Sequence, residues 1–206
     1  MDPWTPAWDY LWAGGPVMAP LVAVSLWLWA LILRKTLWLM TMRRESINLT
    51  QALDSLAGQA PPPSGQSPRG AALTRFLAQR TGHQARDLRL WEAAVRHQAP
   101  AIWRHLAVIT VLAAVAPLLG LLGTVTGMIE TFNIIQTYGT GNAQGLSAGI
   151  SEALITTQTG LLVAIPGLFA AHVLRRQAGK MQGELYLFQS GVERWLKESE
   201  ARRCYV

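Results

Sequence analysis

All 18 lysines and arginines of this 206-residue chain fall into two blocks, eleven between Arg34 and Arg104 and seven between Arg175 and Arg203. Residues 1–33 and 105–174 contain none. Three apolar runs fill those basic-free stretches: residues 16–33 (PVMAPLVAVSLWLWALIL), 106–135 and 147–174. A helix needs about 20 apolar residues to cross a bilayer core. The first run is near the lower limit, and Trp38 and Leu39 can extend it; the other two exceed the requirement and must tilt or project. The pattern predicts an all-α polytopic membrane protein whose three transmembrane helices extend into cytoplasmic helices.

The formal charge of +6 suggests a nucleic-acid binder only until it is mapped. Basic residues that flank apolar spans set membrane orientation, whereas a nucleic-acid reader gathers them on a folded surface. No nucleic-acid partner is therefore expected. The positive-inside rule puts residues 34–104 and the tail from Arg175 in the cytoplasm, with the N-terminus outside. The division expected is a periplasmic interfacial segment (1–15), a first span (16–40), a cytoplasmic helical region (41–105), a second span (106–135), a periplasmic turn (136–146), a third span (147–174) and a cytoplasmic tail helix (175–206). The first span lacks a basic segment before it and ends on Arg34-Lys35, which marks it as a retained helix rather than a cleaved signal.

Several local signals refine this division. Trp4, Trp8 and Trp12 are four residues apart and would form one indole stripe in the lipid headgroup region, with membrane lipid as its partner. Residues 34–56 can continue the first helix. Residues 58–70 (GQAPPPSGQSPRG) read as a linker. Residues 71–104 are again helical in pattern and expected to run into the second span, with Pro100 as a possible kink. Met181, Leu185, Phe188, Val192 and Trp195 give the tail one apolar stripe. Cys204 is the only cysteine, so no intrachain disulfide can form. His83 and His97 lack metal-ligand spacing, and nothing in the chain suggests an enzyme, a cofactor or a metal centre.

The third span holds a single acidic residue, Glu152, in an otherwise uncharged stretch. A charge at bilayer depth costs about 2.5 kcal/mol or more on insertion scales and usually marks function. At 100° per residue Gly145, Ala148, Gly149, Glu152, Thr156 and Thr159 share one small, polar side, opposite Leu154, Leu161, Val163 and Ile165. In the second span Gly120, Gly123, Thr124 and Gly127 form small-xxx-small pairs suited to close helix packing. Thr126, Glu130 and Asn133 make a second polar face, where Glu130 is a candidate for ion entry. Pro117 and Pro166 adjust packing, and His105 and His172 sit at helix boundaries.

Two motifs, PLLGLLGTVTGMIETF (residues 117–132) and GISEALITTQTGLLVAIPGL (149–168), resemble the MotA/TolQ/ExbB proton-channel family, and its ExbB type above all. The resemblance is strong over residues 106–175 and looser over Gly14-Gly15-Pro16 and the first span. It implies an ion pathway through Glu152, Thr124 and Thr157. It also implies a homo-pentamer around a central pore that encloses two helices of an ExbD-type partner, and a TonB-type protein driven by the proton-motive force for siderophore, haem or vitamin B12 import. A TolQ-like subunit acting on TolA in envelope integrity, or a sodium-driven stator-like motor, are the alternatives. The bacterial inner membrane is the implied location. On a straight helix Thr157 lies 140° from Glu152, which makes Thr156 the geometric rival for a place beside the carboxylate.

Overall fold

A computed structural model describes residues 10–59, 61 and 67–203. Trp4, Trp8, most of the expected linker and Cys204 lie outside the described residues. The described residues are helical, without strands, and comprise α1 (Met18–Arg44), α2 (Leu49–Leu56), α3 (Pro68–Gln79), α4 (Gln84–Trp103), α5 (Leu106–Tyr138) and α6 (Ala143–Arg203). Helices within Met18–Arg44, Gln84–Tyr138 and Ala143–Ser199 are long and apolar enough to cross a membrane.

Two compact units divide the chain. The first comprises Met1–Arg34 and His105–Val173. Within it, α5 buries Leu106, Ile109, Ala113, Ala116, Gly120, Gly123, Gly127 and Thr131, a stripe stepping by three and four residues. It meets the stripe Gly149, Ala153, Thr156 and Gly160 of α6. A Cβ built on Gly127 would lie 2.8 Å from the Gly149 carbonyl, and one on Gly160 2.8 Å from the Ala116 carbonyl. One number falls as the other rises, so the helices are antiparallel. Such close backbone approach needs residues with almost no side chain.

Opposite the seam the surface is greasy: Leu121, Val125, Ile129 and Phe132 of α5 are exposed, as are Leu154, Leu161 and Ile165 of α6. Val163 departs from its expected place on this side and is buried. It lies seven residues from Thr156, which returns it to the packing face. Gly139, at φ 72°, ends α5 by donating its N–H to the Ile135 carbonyl at 2.9 Å, and Asn142 begins α6 by accepting the Gly145 N–H at 3.1 Å.

The second unit comprises Lys35–Arg104 and Leu174–Val206. Its core is centred on Trp91, fully buried between Phe76 and Phe188 at centroid distances of 5.6 and 5.9 Å. The indole N–H donates to the Gln189 carbonyl at 3.2 Å. The tail stripe Met181, Leu185, Phe188 and Val192 is buried as its spacing predicts, while Trp195 is half-buried beneath the Arg80 guanidinium.

Helix breaks depart from the sequence pattern in four places, one of them at residues 80–83, where Gly82 at φ 81° separates α3 from α4 within a stretch helical in pattern. The helix that continues the first run stops at Arg44, and α2 starts after Asn48, whose N–H is accepted by Gln51 Oε1 at 3.4 Å. Residues 67–70 are helix onset rather than linker, because Ser67 caps the Gly70 N–H at 3.2 Å and Pro68 sits in the first turn. Pro100 stays inside α4, and the interruption falls after it at Arg104 and His105, the latter at φ 70°. His105 is one of the few residue types other than glycine that adopt this left-handed backbone at modest cost.

A third feature of the second unit is the Asp87 carboxylate, 3 % exposed, which accepts the Thr81 N–H at 2.8 Å, the Thr81 hydroxyl at 2.9 Å and the Gly82 N–H at 3.0 Å. Burial pushes this carboxyl up, but the Thr81 and Gly82 hydrogen bonds and the Arg80 guanidinium outweigh it and hold it below the ordinary carboxylate value. A depressed folded pKa contributes stability above the unfolded value of about 3.9, and that contribution is lost as pH falls through the folded value. Asp87→Asn should therefore destabilise this unit at neutral pH by about 2 kcal/mol. The gap from wild type should close in thermal unfolding at acid pH; a gap independent of pH would contradict the charged-acceptor account.

Candidate functional site

The site lies in the first unit, on α6 beside the α5 seam. The seam stripe occupies the middle of the α6 face, and at 100° per residue Glu152 and Thr159 fall on one flank of it and Thr157 on the other. Each flank meets a different neighbour.

On Thr157's flank the neighbour is α5. The Thr157 hydroxyl donates to the Ala153 carbonyl at 2.9 Å and reaches the Gly120 carbonyl at 3.3 Å, bridging the two helices. Thr156 lies between the flanks, fully buried, with its side chain filling the space where Gly123 lacks one. Its hydroxyl donates to the Glu152 and Ala153 carbonyls, both at 3.0 Å. Thr156 and Thr157 thus direct their protons to backbone oxygens rather than to the Glu152 carboxylate. Thr131, which the sequence pattern did not single out, is buried against Gly149 and donates to the Gly127 carbonyl at 2.9 Å.

On Glu152's flank the neighbour is the stretch before α1, where residues 10–13 form a helical turn. The half-buried Glu152 carboxylate lies against Gly15, and a Cβ built on Gly15 would overlap Glu152 Oε1. Gly15 has φ +65°, a backbone that glycine adopts freely and side-chain-bearing residues rarely do. Tyr10 Oη lies 3.1 Å from Thr159 Oγ1. An apolar groove of about 590 Å³ lined by Leu11, Trp12, Pro16, Met18 and Val22 runs beside this contact.

Thr124 is half-buried next to the seam and donates to the Leu121 carbonyl at 2.6 Å. Glu130 and Asn133 are exposed farther along α5, and Thr126 donates to the carbonyls of Leu122 and Gly123. The fold therefore brings Glu152 together with Gly15 and holds Thr156 and Thr157 at the seam, while Glu130 stands apart on the surface. In sequence Gly15 stands out only within the loosely matching Gly14-Gly15-Pro16, and Tyr10 not at all: each meets α6 across more than 130 residues of chain, and no periodicity reports such a contact. No group of three or more His, Cys, Asp or Glu suited to a metal ion occurs among the described residues.

Comparison with known proteins gives a consistent picture. The chain is 33 % identical over 172 residues to an ExbB-like biopolymer transport protein (ExbB-like 3) of Synechocystis, covering 79 % of this chain and 82 % of that one. It is 34 % identical over 117 residues to the biopolymer transport protein exbB1 of Vibrio cholerae, covering 52 % of this chain and 51 % of the relative. Against the biopolymer transport protein ExbB of Salmonella typhimurium it is 27 % identical over 184 residues, 82 % of this chain and 75 % of the relative. The signature described as the MotA/TolQ/ExbB proton channel family matches residues 66–186, a span that includes α5 and the Glu152 flank of α6. The chain belongs to the MotA/TolQ/ExbB proton channel family.

Proposed function

We propose that this chain is the ExbB-type subunit of an inner-membrane motor, with its N-terminus periplasmic and its C-terminus cytoplasmic. In this reading it forms a homo-pentamer around an ExbD-type partner and uses the proton-motive force to energise a TonB-type protein, and through it outer-membrane import. The observation that carries the proposal is the seating of Glu152, one carboxylate in an uncharged spanning stretch, beside a backbone with no side chain to cover it. A carboxylate there takes up a proton from one side and releases it to the other or to a partner group. Moving one proton through 100 mV supplies about 2.3 kcal/mol, so a few protons per step amount to useful work. Thr124 and Thr157 line the pathway, Thr156 supports the helix at Glu152, and Glu130 gathers ions at its mouth. The glycine seam of Gly120, Gly123 and Gly127 keeps α5 and α6 rigid around the carboxylate. The ExbB-type output is preferred to a TolA-directed one because the similar proteins carry the ExbB designation.

The test is iron–siderophore uptake in cells lacking the subunit, complemented with wild type or Glu152→Ala, with membrane level and partner assembly checked in parallel. Wild type is expected to restore uptake and Glu152→Ala to leave it at the level of the deletion. Full uptake from an assembled Glu152→Ala complex would sink the proposal. Rescue of an envelope-integrity defect in place of uptake would redirect it to a TolA-type output.

A further inference from the structure

We propose that Gly15 and Tyr10 are positioning residues for Glu152, forming a strap that seats its carboxylate and controls access to it. The inference rests on the reading of Glu152 as the proton-carrying group. Two contacts tie residues 10–15 to α6, Gly15 on Glu152 and Tyr10 on Thr159. Glu152 and Thr159 are seven residues apart, so they share one stripe of α6 about 10.5 Å long. The strap runs along that stripe for two turns rather than touching it at a point.

The backbone at position 15 favours glycine, and a side chain there would have to move the Glu152 carboxylate. The Gly15 φ of +65° disfavours any side chain, and the carboxylate occupies the place where a Cβ would project. No alternative seat is offered by the seam flank, where the Thr156 and Thr157 hydroxyls donate to backbone carbonyls. Around Gly15 the open groove is lined by the apolar side chains of Leu11, Trp12, Pro16 and Met18, so the strap presents an apolar surface next to the carboxylate. In this proposal the strap covers one side of Glu152, and the Tyr10–Thr159 hydrogen bond fastens it to α6.

Dicyclohexylcarbodiimide, which modifies protonated carboxyls in apolar surroundings, reads this access directly. The assembled complex in membranes is treated with the reagent and modification of the Glu152 peptide is followed by mass spectrometry, with Glu152→Gln as the blank. Gly15→Ala displaces the carboxylate, and its modification should accelerate about tenfold as transport falls. Tyr10→Phe keeps the ring and loses the hydroxyl, so modification should accelerate about fivefold, the population shift expected from one lost hydrogen bond. If Gly15→Ala does not reach the membrane, Tyr10→Phe decides alone. Wild-type modification rates in the variants that assemble overturn the strap, and loss of transport in Glu152→Gln would then leave the proton-carrier reading standing. Retained transport in Glu152→Gln overturns that reading and the strap's part in coupling with it.

Discussion

Gly160→Leu should prevent stable packing of the first unit, with little folded subunit recoverable from membranes. The seam leaves no room for compensation: a Cβ at 160 would lie 2.8 Å from the Ala116 carbonyl and 3.2 Å from Gly120 Cα, both backbone atoms. Side chains can rotate away from an intruder, whereas two backbones must separate, and separation breaks every contact along the stripe. Overpacking costs about 1–3 kcal/mol in cores that can adjust, and this seam should exceed that range. Gly160→Ala should also destabilise. Gly123→Ala should do so at least as strongly, because its built Cβ would overlap the Cβ of the fully buried Thr156, an atom that no side-chain rotation moves. Gly179 is the contrast, with nothing within 4 Å of a built Cβ. Gly179→Ala should leave stability unchanged or raise it by up to about 1 kcal/mol through helix propensity. Thermal unfolding in detergent ranks the four variants; equal effects at Gly160 and Gly179 would refute the seam as the cause.

The seam was legible because helix periodicity acts over short distances: Gly120, Gly123 and Gly127 declare one face within two turns. Glu152 stood out for a different reason, the cost of charge in an apolar stretch. The tail stripe followed from the same periodicity, and Trp91, Phe76 and Phe188 show where it leads. The breaks were harder to see, since the helical pattern runs through Arg44, Gln79 and Trp103 without a proline or glycine at the end itself. Asn48 with Gln51 and Ser67 with Pro68 are recognisable start signals, but they describe helix beginnings, not the preceding ends. The 140° between Glu152 and Thr157 was also available from sequence, and it corresponds to two neighbours, the strap and α5. Which neighbour each residue meets depends on how distant segments pack. Gly15 illustrates the limit: Gly14-Gly15-Pro16 stands out only as a loose part of the family resemblance, and the carboxylate that Gly15 meets lies far along the chain.

Glu152→Gln should assemble as well as wild type, or better, and transport nothing. The substitution keeps the length and planarity of the side chain, so the amide fits the seat beside Gly15. It removes a group whose charged form costs about 2.5 kcal/mol or more at bilayer depth, so stability in detergent should hold or rise. A residue kept for packing would behave in the opposite way, losing stability when altered while activity followed the amount of folded protein. Stability and activity moving apart at one position is the signature of a group retained at energetic cost for what it does. The amide cannot take up and pass on a proton as a carboxyl does, so uptake driven by the proton-motive force should fall to the level of the deletion. Glu152→Asp separates charge from reach. It keeps the acid but withdraws it by one methylene from Gly15, and partial transport is expected. Transport by Glu152→Gln at the wild-type rate, at equal membrane level, would assign the coupling group elsewhere.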